Sequence, residues 1–258
     1  GTSSFTTSED GSTITLNQTN EFTGAVTLNT TGSSGHATVN NGTNPLDIAA
    51  SSVGGDLTIT SGAVTQSGTL VIPGTTTISA SSHAVTLNDS SNNFGTVAIT
   101  GANVAITDTN AIVLGASTVT GTYAVTAGGD ITNTGALIIT GASTFVGSSG
   151  SNIVLGDDGN RFSNSVTMKA GTSGDQAFGN IGFFDGGAVV IQTKAGTNAD
   201  GELLIDGSTD GVVGGTLSII ANGDITQNID LTVTGTTTLE AGSNAITLDR
   251  AGNNFSTV

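Results

Sequence analysis

The sequence predicts an all-β chain wound as a right-handed parallel β-helix, a solenoid of about eleven coils with three short strands in each. Three observations predict it. Apolar residues arrive in pairs two apart, as in Val97/Ile99, Val104/Ile106, Ile112/Leu114, Tyr123/Val125, Leu137/Ile139 and Ile153/Leu155. That is the period of a strand whose alternate side chains face opposite ways. Between the pairs lie Gly, Asn, Asp and Ser, residues that close tight turns, and no interval is long enough for a helix. One phrase also recurs, an apolar-x-apolar strand, a polar turn, Asn-x-Phe and a valine, at Ser12 to Val26, His83 to Val97, Asn152 to Val166 and Asn244 to Val258.

The recurrent phrase sets the repeat. Phe22 to Phe94 is 72 residues, Phe94 to Phe162 is 68, and Phe162 to Phe255 is 93. A second marker, Gly54-Gly55-Asp56-Leu57-Thr58, Gly128-Gly129-Asp130-Ile131-Thr132 and Asn222-Gly223-Asp224-Ile225-Thr226, follows in the same order. The links often lack the Asn-Gly signal of a hairpin, so each strand is expected to pair with its equivalent one coil away, about 4.8 Å along the axis. The shorter repeats then divide into three coils of about 23 to 24 residues, and the whole chain makes a body roughly 50 to 55 Å long.

Inward Val, Ile and Leu form the core, each buried side chain contributing roughly 1.5 to 3 kcal/mol. Phe22, Phe94, Phe162 and Phe255 are expected to plug corners. Asn20, Asn92, Asn160 and Asn253 are read as turn residues whose amides satisfy backbone groups. Outward positions carry Thr and Ser, as in Thr13-Ile14-Thr15-Leu16, which suit a solvated strand.

Composition excludes several classes of function. Hydrophobic residues make up 35% of the chain, enough patterned apolar surface to separate it from disordered sequences of similar polarity. Net charge is -16 with four basic residues, Arg161, Lys169, Lys194 and Arg250, so nucleic acid is not an expected partner. No run of about 18 apolar residues could insert in a membrane, and with no cysteine there is neither a disulfide nor a thiolate metal site. His36 and His83 lie in separate turns and no serine sits in a nucleophile elbow, so the chain is not read as an enzyme.

The long third repeat carries the atypical residues. Phe162 to Asp224 spans 62 residues against 36 from Phe94 to Asp130, and the surplus of 26 is read as one irregular inserted coil at about 175–214 within a single domain, 1–258. It holds Phe178, Phe183, Phe184, Lys194 and the acids Asp185, Asp200, Glu202, Asp206 and Asp210. Asp185, Asp206, Phe183 and Phe184 are the candidate ligand-binding residues. Asp185 and Asp206 stand 21 apart, close to one coil, so their carboxylates would stack at roughly the 5 Å separation of retaining glycosidases. The turn Gly156-Asp157-Asp158-Gly159-Asn160 offers hard oxygens, making Asp157, Asp158 and Asn160 candidate ligands for Ca2+, with no other cofactor expected. Thr-x-Thr strings at Thr13 to Thr15, Thr58 to Thr60, Thr118 to Thr120 and Thr232 to Thr234 are similar to the outward rows with which some β-solenoids bind ice. They recur once per three coils or less regularly, and the β-propensity of Thr accounts for them.

The Gly-Gly-Asp-Ile-Thr phrase, Gly115-Ala116-Ser117-Thr118-Val119-Thr120-Gly121 and the Asn-Ala-Ile-Thr-Leu…Asn-Asn-Phe phrase resemble the strand repeats of giant bacterial surface proteins of the filamentous-haemagglutinin-like type. The likeness covers nearly the whole chain and rests on coil geometry rather than chemistry. It implies an exported adhesin, stalk or sheath, extracellular or on the cell surface, in which this chain is a stiff interior segment of a longer β-helical rod. Neither end carries a cap, so the expected partner is another such coil, by end-to-end self-association or continuation of the same chain. Host or neighbouring-cell surface glycans would be contacted through outward Thr, Asn and Asp. The alternative is a carbohydrate-binding or polysaccharide-cleaving solenoid using the acidic insertion.

Overall fold

The alternation of the sequence translates directly into parallel ladders. In Leu57–Thr60 the apolar Leu57 and Ile59 are buried while Thr58 and Thr60 are exposed. The strand pairs in parallel with Ala37–Asn40 on one side and with Leu70–Ser79 on the other. The computed structural model describes residues 1–171, 178–187, 189–192, 202–206 and 211–258. Among these residues the strands number 30, no helix occurs, and the strands stack in parallel as about 11 turns of a β-solenoid. Two compact units divide the chain, Gly1–Gly121 and Thr122–Val258.

Three ladders build the first unit. One joins Ile14–Leu16, Ala37–Asn40, Leu57–Thr60 and the later halves of Leu70–Ser79 and Asn93–Gly101. Another joins Ser3–Thr6, Val26–Asn29, Ser51–Ser52 and the early halves of the same two long strands. A third joins Leu46–Ile48, Val64–Gln66, Val85–Leu87 and Val104–Asp108. Coils are shorter and less even than the repeat arithmetic suggests: hydrogen-bonded equivalents lie 23 residues apart at Leu28 and Ser51, 20 at His36 and Asp56, and 19 at Asp56 and Thr75.

The two long strands are two faces run together through a glycine corner. The pairing of Leu70–Ser79 with Asn93–Gly101 shifts register between Phe94 and Thr96, at Gly95. A Cβ on Gly95 would lie 2.1 Å from the Pro73 carbonyl oxygen of the coil below, so backbone meets backbone there and only glycine fits.

In the second unit aromatic residues replace part of the aliphatic ladder. Tyr123 meets Phe145 edge-on at 5.8 Å, Phe145 meets Phe162 edge-on at 6.3 Å, and Phe162 stacks on Phe183 at 5.4 Å. Each such pair is worth ~0.5–1.5 kcal/mol beyond its burial.

Through the third repeat the spacing of hydrogen-bonded equivalents widens. Equivalents lie 22 residues apart at Asp130 and Asn152, 28 at Asn152 and Asn180, and 36 at Asn180 and Thr216, then 21 at Asp224 and Ala245. Ile181 pairs directly with Leu217, and Val166 directly with Leu203. Equivalents are thus farthest apart between Asn152 and Thr216. Sequence order is also broken here, because Glu202–Asp206 lies between Val166–Ala170 and the earlier strand Val189–Gln192. Asp175, Lys194, Asp200 and Asp210 lie outside the described residues.

Candidate functional site

The Asn-x-Phe phrase marks the most heavily hydrogen-bonded position of the coil. Asn92 is fully buried. Its Oδ1 accepts the Gln66 side-chain amide and the Leu70 backbone N–H, each at 2.9 Å. Its Nδ2 donates to Gln66 Oε1 at 2.9 Å, to Leu87 O at 3.3 Å and to Thr107 O at 3.2 Å. One side chain thus ties its own turn to the coil below and the coil above. Asn160 repeats the pattern, accepting Asn133 Nδ2 and Leu137 N at 2.9 Å and donating to Leu155 O. Asn253 accepts Gln227 Nε2 and Leu231 N and donates back to Gln227 Oε1. Asn20 differs: its amide donates to Leu16 O, Gln18 O and Asn40 O.

The phenylalanine two residues on is held by its backbone. Phe94 N donates to Asp108 Oδ2 at 2.6 Å, Phe162 N to Asp185 Oδ1 at 3.1 Å, and Phe22 N to Asn41 Oδ1 at 2.8 Å. Each acceptor comes from a later turn and is almost wholly buried. Burial raises the carboxyl pKa of Asp108 above its ordinary value, against the opposing pull of the Phe94 and Asn110 N–H groups. Phe94 and Phe162 are buried, whereas Phe22 and Phe255 are half-buried, Phe22 lying edge-on to Phe5.

The Gly-Gly-Asp marker has its own function in the stack. Asp56 Oδ1 accepts Thr75 N, Asp130 Oδ1 accepts Asn152 N and Asp224 Oδ1 accepts Ala245 N. In each case a carboxylate caps the strand start one coil above. The three copies are not in one phase, however. Gln66, Asn133 and Gln227 are the equivalent positions, so Val64-Thr65-Gln66 corresponds to Ile131-Thr132-Asn133 and Ile225-Thr226-Gln227, and Leu57 lies one strand earlier.

Of the residues expected to bind a ligand, Phe183, Phe184 and Asp185 are turned into this framework. Phe183 and Phe184 are buried, Phe183 against Phe162. Asp185 is 2% exposed and holds Phe162 N. In backbone register Asp185 pairs with Ala221 and Asp206 with Lys169, on different ladders. At the expected Ca2+ turn, Asp157 Oδ1 accepts Gly159 N, Asp158 is exposed, and the Asn160 oxygen is taken by Asn133 and Leu137. Among the described residues no group of three or more His, Cys, Asp or Glu converges on a metal position.

The comparisons with known proteins bear on the repeat itself. Three stretches, residues 34–100, 101–169 and 186–258, match the family described as repeats of unknown function (DUF5649). The chain belongs to the DUF5649 repeat family. Each matched stretch closes a few residues after an Asn-x-Phe phrase, at Phe94, Phe162 and Phe255, so each copy carries a tie asparagine together with the backbone N–H it accepts one coil below. The residues it leaves between its second and third copies, 170–185, fall where the coils enlarge. No curated protein matches the chain, and no solved structure does.

Sequence reasoning missed Gln66, Asn133, Gln227, Asp108 and Asn41. A signal existed for the first three, an amide residue four before the Leu that opens each tie. None existed for the acids, because Asp108 lies 14 residues after Phe94 and Asp185 lies 23 after Phe162.

Proposed function

We propose that this chain is a structural segment of an extracellular bacterial fibre or adhesin, stiffened by coil-on-coil stacking. The observation that carries the reading is the wiring of the repeat. Asn92, Asn160 and Asn253 each accept a backbone N–H from a neighbouring coil, and the buried carboxylates of Asp108 and Asp185 accept those of Phe94 and Phe162. Such a chain is built to keep its form, and its outward Thr, Asn and Asp are what a host or neighbouring cell surface would meet. Its partners in the fibre are further coils of the same kind, through self-association or continuation of the chain. The acidic insertion gives no support to sugar cleavage, since Phe183, Phe184 and Asp185 face inward.

The test is surface exposure on the native cell. Protease treatment of intact cells should release peptides from this segment, and antibody against it should label external fibres. Labelling seen only after permeabilisation would overturn the proposal.

A further inference from the structure

The uneven coil length hides an alignment that the first unit makes plain. On the ladder Ala37–Asn40, Leu57–Thr60, Leu70–Ser79 and Asn93–Gly101, the outward positions fall into two rows. Thr38, Thr58 and Thr77 register with one another in the first, and Thr60, Ser79 and Thr100 in the second. Thr15 and Thr118 lengthen the rows by one place each. In sequence these coils read Thr-x-Asn, Thr-x-Thr, Thr-x-Ser and Ala-x-Thr. A search for Thr-x-Thr alone therefore finds only one of the four.

The rows make a rectangular lattice of hydroxyls and methyls. Neighbours are about 4.8 Å apart between coils and about 6.7 Å apart along a strand, twice the rise per residue. All six but Thr38 are exposed, and Thr38 is half-buried. None of the six hydroxyls has a hydrogen-bond partner among the described residues, so their full bonding capacity faces outward. No position of the array is charged, on a chain of net charge -16. A charged or aromatic ligand has nothing to hold there. A neutral, ordered lattice of oxygens has a donor and an acceptor at every point.

We infer that this face binds ice. The prism face of hexagonal ice presents oxygens in a rectangular repeat of the same order as the array.

The experiment is ice growth in the presence of the purified 258-residue chain. Crystals should become faceted, with a gap between freezing and melting temperatures. Thr60→Tyr and, separately, Ser79→Lys should lose most of that gap while keeping the parent far-UV circular dichroism and melting curve. Thr238→Tyr, at an exposed position of the second unit, should keep it. If one array variant fails to fold, the other decides. Rounded, unshaped ice with the folded parent chain overturns the inference, as does a gap that survives both array variants or falls equally with Thr238→Tyr. Binding of the parent to insoluble neutral polysaccharide without ice shaping would likewise overturn it.

Discussion

Gln66 and Asn92 exchange two side-chain hydrogen bonds, each 2.9 Å long, from opposite sides of a coil boundary. The pair is closed on itself, and the spare capacity of Asn92 reaches Leu70 N, Leu87 O and Thr107 O. An amide is the only side chain that can do this, because donors and acceptors must both be met at one buried point.

Asn92→Ala should therefore destabilise the chain by about 3 kcal/mol, the sum of lost bonds and the cost of leaving Leu70 N buried without an acceptor. Asn92→Asp should be no milder, since its second oxygen would face the Leu87 and Thr107 carbonyls. Urea unfolding of the two variants and the parent checks both, and stability within 1 kcal/mol of the parent, a margin well below the ~1–3 kcal/mol of a stranded buried donor, would refute the role.

Asp108 makes stability depend on pH. Its folded-state pKa is raised above the ordinary 3.8 by burial, so the native state holds the proton at pH values where the unfolded chain has released it. The stabilisation is complete below the unfolded pKa and is lost as pH rises through the folded one. Asp108→Asn removes that titration. The melting temperature of the parent relative to Asp108→Asn should fall between pH 3.8 and neutrality, and a difference constant with pH would count against it.

Gly95→Ala should cost about 3 kcal/mol, the upper range for forced overpacking, because its Cβ would meet the Pro73 oxygen at 2.1 Å. Gly156→Ala meets nothing within 4 Å and should change stability by less than about 0.5 kcal/mol. Paired denaturation curves separate a corner effect from a general intolerance of side chains.

Chelation tests the Asp157, Asp158 and Asn160 turn. With the Asn160 oxygen already accepting two hydrogen bonds, EDTA should leave the melting temperature unchanged. A drop restored by Ca2+ would show that the turn rearranges around a cation.

The fold was legible where local pattern and tertiary packing agree. Period-two apolar pairs such as Leu57/Ile59 can satisfy only a strand with one face buried, and the shortage of hairpin turns left parallel stacking as the way to pair them. Register was not legible. It depends on coil length, which varies between 17 and 23 residues within the first unit, and single turns absorb the difference without altering the apolar pulses. Misphasing of Leu57 with Ile131 arose in this way, as did the dispersal of the threonine rows. The acids of the insertion misled for another reason. An aspartate that caps a buried N–H and one that faces a substrate are the same letter, and only burial separates Asp185 from a catalytic residue.

The asparagine tie reaches no further than the adjacent coils, so a DUF5649 repeat brings most partners of its tie asparagine with it and meets the rest in the coil that follows. Duplication of one repeat in a gene then adds length without demanding compensating changes elsewhere, and loss of one removes length as cleanly. Selection can act on the reach of such a protein by recombination alone, leaving the outward residues free to diverge from copy to copy while the wiring beneath them is held fixed.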